Sequence, residues 1–85
     1  MKLNWTINPS GNGLCAYLDD HNIMATVYRC VVDKVYYQMV WVAGETATYS
    51  KSSHACCISA MVHAEAAVTE LADELTARSA IWQEA

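Results

Sequence analysis

Residues 14 to 49 read as a succession of short strands that are apolar on both faces, and residues 53 to 83 as one long, alanine-rich helix. A single helix covers one face of a sheet, so the other face is left to a second subunit or a partner protein. That imbalance points to binding rather than catalysis. No segment carries a specific catalytic, metal or nucleotide motif.

Composition sharpens the point. Hydrophobic residues make up 54% of the 85 residues and charged residues 16%. This is too apolar for a disordered chain and poor in charge for a small monomer, whose surface is proportionally large. Part of the apolar content is therefore expected between chains. The alternative is a monomer whose surplus is mostly small alanine. The length allows one domain over residues 1–85, with the sheet in 1–50 and the helix in 53–83.

The formal net charge is −4, from 9 acids and 5 bases. The bases Lys2, Arg29, Lys34, Lys51 and Arg78 are scattered and make no stripe for a phosphate backbone, so direct nucleic-acid binding is not expected. An acidic surface suits a basic protein partner better. The N-terminal segment has no apolar signal region, and no run of about 18 apolar residues spans a membrane. A cytoplasmic location follows, with Cys15, Cys30, Cys56 and Cys57 as reduced thiols whose irregular spacing is no disulfide framework.

Along the chain, Leu3, Trp5 and Ile7 alternate with Lys2, Asn4 and Thr6 in the period of a half-buried strand. Residues 8 to 13 hold the only proline and two of the three glycines and form a loop. Strands follow over 14–19, 23–32 and 35–43, with a polar turn at Asp19-Asp20-His21-Asn22. A short threonine-rich strand is expected over 46–50. Asp33-Lys34 reads as a two-residue hairpin loop, which places Arg29 opposite Gln38. In that register Tyr28, Cys30, Val32, Val35, Tyr37, Met39 and Trp41 share one face, whereas Ile23, Ala25, Val27, Val31, Tyr36, Val40 and Val42 share the other. The aliphatic face has the shape a helix packs on, and the aromatic face has the composition of an interface core. Packing of the helix on the aromatic face stays open as the alternative.

Ser50-Lys51-Ser52-Ser53 supplies a helix cap, and helical spacing begins at His54. Cys57, Met61, Ala64, Val68, Leu71, Ala72, Leu75 and Trp82 form one stripe, with His63, Glu70, Asp73, Glu74 and Ala77 roughly opposite. About 31 helical residues reach about 46 Å, against about 33 Å for a ten-residue strand. The end bearing Leu75, Ile81 and Trp82 is therefore expected to overhang. Either a bend returns Trp82 to the core or a neighbouring chain covers it.

Other constellations are weaker. His54, Cys56, Cys57 and His63 lack zinc-ligand spacing, since adjacent cysteines diverge by about 100° around a helix. A Cys/His catalytic pair lacks a lowered thiol pKa and an oriented base. Ser10-Gly11-Asn12-Gly13 precedes a strand, so it offers no helix N-terminus to a phosphate. No metal, cofactor or enzymatic activity is expected. The acids Asp19, Asp20, Glu70 and Glu74 are a solvated surface or a strip presented to a basic partner.

The expected architecture is α+β: an antiparallel sheet of four to five strands, followed by one long C-terminal helix packed across one face. In its size, acidic charge and element order the chain resembles small phage-encoded proteins of the anti-CRISPR type. The resemblance covers the whole chain as a pattern and rests on no shared motif. It implies an inhibitor that acts by binding, for example on a CRISPR-Cas effector subunit in the host cytoplasm. The expected partner-binding residues are Tyr28, Tyr37, Met39 and Trp41 as anchors, with Asp19, Asp20, Glu70 and Glu74 as charge complement, in a homodimer. The alternatives are a nucleic-acid-linked regulator of antitoxin type, an uncharacterised small structural dimer, or, with least support, a small hydrolase or thiol enzyme.

Overall fold

Alternating β-branched and aromatic positions build five strands: β1 (Thr6–Ile7), β2 (Gly13–Leu18), β3 (Ile23–Cys30), β4 (Val35–Val42) and β5 (Thr48–His54). One helix, α1 (Cys57–Glu84), follows, and a short 3₁₀ turn (Asp19–His21) joins β2 to β3. The computed structural model describes residues 2–9 and 11–84, with side chains as far as Arg78. Ser10 and the side chains of Ile81 and Trp82 lie outside the described residues, and so does the expected overhang of Ile81 and Trp82. The strands pair antiparallel in sequence order, β1-β2-β3-β4-β5. The architecture is α+β, a five-stranded antiparallel meander with the helix packed on it.

The helix lies on the aliphatic face. Ile23, Ala25 and Val40 are buried with Ala64, Ala67, Val68, Leu71 and Ala72 in one cluster, and Leu3, Trp5, Leu18, Val42 and Leu75 pack around it. Alanines let the helix approach closely, while Val68 and Leu71 fill the space between the layers. Burying each large aliphatic side chain here is worth about 1.5–3 kcal/mol. The buried stripe of α1 adds Ala60 and Ala67 to the residues expected from the sequence, and Cys57 and Met61 are only half-buried.

Three expectations are corrected. The β3–β4 loop has four residues, Val31 to Lys34, closed by the Lys34 amide donating to the Cys30 carbonyl (2.8 Å). A two-residue loop would require positive φ at both Asp33 and Lys34, whereas here Lys34 alone adopts it (φ 57°). The pairing therefore slips by two residues: Cys30 faces Val35, Arg29 faces Tyr36, and Gln38 faces Val27. A two-residue slip keeps every side chain of the strands on its face, but Val31 and Val32 leave the sheet for the turn.

The second correction concerns the serine-rich segment. β5 runs to His54 and the helix begins at Cys57, because Ser50 and Ser52 face Gln38 from the neighbouring strand instead of capping a helix. Third, the N-terminal strand pairs only over Thr6–Ile7. Leu3 and Trp5 still reach the core, but the Leu3 amide and the Trp5 indole Nε1–H both donate to Glu65 Oε2 of α1, at 2.9 and 3.1 Å. A carboxylate on the helix thus takes the place of a sheet ladder.

Ala64 is fully buried between helix and sheet. Replacing it by Leu forces the two layers apart, and an overpacked site of this kind costs about 1–3 kcal/mol. Ala64→Leu is expected to lower the urea midpoint with an unchanged slope, measured by far-ultraviolet circular dichroism.

Candidate functional site: the open face of the sheet

Side chains alternate across a strand, so register assigns the face turned away from α1. Tyr17, Met24, Trp41 and Thr48 form one row across β2 to β5. Cys15, Thr26, Met39 and Lys51 form the next, and Gly13, Tyr28, Tyr37 and Ser53 the third. The four expected anchors, Tyr28, Tyr37, Met39 and Trp41, are therefore together on this face, all half-buried by their neighbours. By register the face carries one formal charge, that of Lys51, and Arg29 of β3 adds a second at the margin, where it lines the depression described below.

Tyr28 and Tyr37 stand opposite each other and stack, with ring centroids 5.6 Å apart and planes at 22°. The Tyr37 hydroxyl donates to Asp33 Oδ2 at 2.8 Å, and the Cys30 thiol lies 3.7 Å from the same oxygen. Asp33 thereby ties the hairpin turn to the tyrosine pair. Beside them Asn8, Pro9 and Asn12 border a depression of about 610 Å³ whose lining also includes Cys15, Met24, Tyr28, Arg29 and Trp41. The Thr26 hydroxyl is spent on the Leu14 carbonyl (3.0 Å), which leaves the floor largely apolar.

The four acids are not brought together with the anchors as a group. Asp19 and Asp20 are exposed in the turn between β2 and β3, next to the end of the sheet that bears Tyr17, Met24 and Trp41. Glu70 and Glu74 are exposed on α1, on the opposite side of the sheet. There they lie beside Tyr49 of β5, whose pKa is raised by partial burial first and by their negative charge second. Glu74 also pairs with Arg78 at 3.1 Å, a surface contact of little energetic weight.

A polar seam under the start of α1 was not anticipated. Gln38 is fully buried and its Nε2 donates to Ser50 Oγ (2.9 Å) and Ser52 Oγ (3.0 Å). Ser52 Oγ is 2.7 Å from His54 Nε2, and His54 Nδ1 is 3.2 Å from Ser59 Oγ on the helix. The His63 ring lies 5.0 Å from that of His54. The signal available in the sequence was the alternation Ser50, Ser52, His54 beside a glutamine-bearing strand. Ser52 and His54 have the spacing of a nucleophile and its base, but the depression described above is on the other face of the sheet. Among the described residues no three His, Cys, Asp or Glu side chains gather as metal ligands, and the Cys57 thiol turns to Met61 Sδ (3.9 Å).

No family model matches the chain, and neither a curated protein nor a solved structure matches it.

The Asp33 hydrogen bond, and then its charge, hold the Tyr37 phenol above the ordinary value of 10.0. The protonated form is the one the folded state favours, so this contribution is intact below pH 10 and is lost as pH rises through the folded value of Tyr37. Asp33→Asn is expected to shift Tyr37 ionisation back toward that of a free tyrosine. Titrating the phenolate by ultraviolet absorbance or by NMR of the ring carbon checks it.

Proposed function

We propose that the chain is a non-enzymatic protein-binding module that docks its partner on the open face of the sheet. The observation that carries this reading is the asymmetry of the sheet: α1 closes the aliphatic face, and Tyr28, Tyr37, Met39 and Trp41 remain on the other. Rings and a methionine at the centre of a nearly uncharged patch are the composition of interface anchors. Asp19 and Asp20, at the Trp41 end, supply a charged rim. Glu70 and Glu74 face away and take no part in the same contact.

The narrower reading is an inhibitor of the anti-CRISPR type, acting in the cytoplasm of a bacterial host by occluding a surface of a defence complex. It is supported by the small size, the net charge of −4 and the order of sheet then helix. Function lives in the site rather than in the fold, so the test is a direct one. The chain is expressed in bacteria with an active CRISPR system and challenged with a targeted phage. Plating of the phage is expected to rise, and the tagged chain to retain a stoichiometric effector subunit after nuclease treatment. Met39→Glu, with unchanged circular dichroism, is expected to abolish both. Unchanged plating, or partners that vanish with nuclease, would sink the inhibitor reading.

A further inference from the structure

We infer that the occupant of the open face is a second copy of this chain, laid face to face so that the two sheets sandwich Tyr28, Met39 and Trp41 of each. This rests on the reading of that face as a docking surface and names its occupant as a second chain, so that a foreign protein is met by the outer surface of the pair and Met39→Glu acts on it by breaking the pair. Three features of the structure carry it.

The first is charge. An interface selected by charge presents a patterned surface to its complement, but here the charges stand at the margins, with Lys51 near the β5 border, Arg29 beside the depression and Asp33 at the Tyr37 end. A face with an apolar centre and charges of both signs at its margins fits an identical face without placing like charges in opposition at the middle. Among the described residues the acids lie in the turns between strands (Asp19, Asp20, Asp33 and Glu45) and on α1, and Asp33, bonded to the Tyr37 hydroxyl, stands at the end of this face.

The second is area. Strands of 2, 6, 8, 8 and 7 residues, at about 4.8 Å spacing and about 3.3 Å per residue, give a face of about 500 Å². A pair buries about 1,000 Å², the least a specific interface needs. The face of one small chain is thus large enough when its whole extent is used, as in sheet-on-sheet packing.

The third is that the edges of the sheet are obstructed. β1 is two residues long, and the segment before it is tied to Glu65 rather than left open. β5 carries an irregularity beside Val40/Trp41 and a lysine at its centre, both of which disfavour strand addition. Association by extending the sheet is blocked at both sides, and the broad face remains.

The experiment is sedimentation equilibrium of the wild-type chain from micromolar to millimolar concentration, with isotope-filtered NOE spectra of a mixture of labelled and unlabelled chain. The expected result is twice the chain mass of 9.4 kDa, with intermolecular NOEs from the Met39 methyl and the Tyr28 and Trp41 rings. Met39→Glu is expected to give a folded monomer, and Ile58→Glu, on the exposed side of α1, to leave the dimer intact. Because the NOE measurement uses wild-type protein, it decides the matter even if a variant fails to fold. A wild-type monomer at every concentration overturns the self-pairing, as does a dimer whose intermolecular NOEs come from Ile58 or Val62. The phage assay reads the docking of a foreign protein separately, so either failure is distinguishable from the other.

Discussion

The buried stripe of α1 rests on Ile23, Ala25 and Val40, and this contact decides which half of the sheet is closed. Ala60 and Ala64 have no exposed surface, so the helix backbone lies close to the strands, and bulky residues enter at Val68 and Leu71 with Leu75 at the margin. A helix seated so tightly has nothing left to offer the other side of the sheet. The openness of the tyrosine face is thus a consequence of how the aliphatic face is filled, not an independent property.

Two polar devices hold the layers in place toward opposite edges of the sheet. At the beginning of the chain, Glu65 reaches from the helix to Leu3 and Trp5 and keeps the first residues against the core. At the start of the helix, Gln38, Ser50, Ser52, His54 and Ser59 link the last two strands to the first turn of α1. Gln38 Oε1 has no partner in that seam, an imperfection in an otherwise paired network. Both devices act on orientation more than on stability, since net gains from such hydrogen bonds are about 1 kcal/mol each.

The faces of the sheet were legible in the sequence, and the details at its ends were not. Side-chain alternation has period two, so misplacing the β3–β4 loop by two residues still put Tyr28, Tyr37, Met39 and Trp41 on one side. The loop itself was obscured because Val31 and Val32 have the composition of a strand, yet they stand 80% and 89% exposed in the turn. Nothing local signals that Lys34 alone takes the left-handed conformation. Ser50 to Ser53 failed differently: serine is equally at home at a helix cap and on a strand beside a buried amide, and only the position of Gln38 decides. The acids were grouped with the anchors by charge, although the outer side of a helix packed on one face cannot share a surface with the other face.

The meander also sets the order in which the molecule becomes complete. Every strand pairs with its neighbour in sequence, so the sheet assembles from local hairpins, while the closing contacts to β3 and β4 come from residues beyond 57. During synthesis the strands leave the ribosome before the helix that shields them, and for that interval the nascent sheet is bare on both sides. Residues 57 to 75 are then an internal chaperone in effect, and a stall within them exposes a two-sided apolar sheet to its neighbours on the same message.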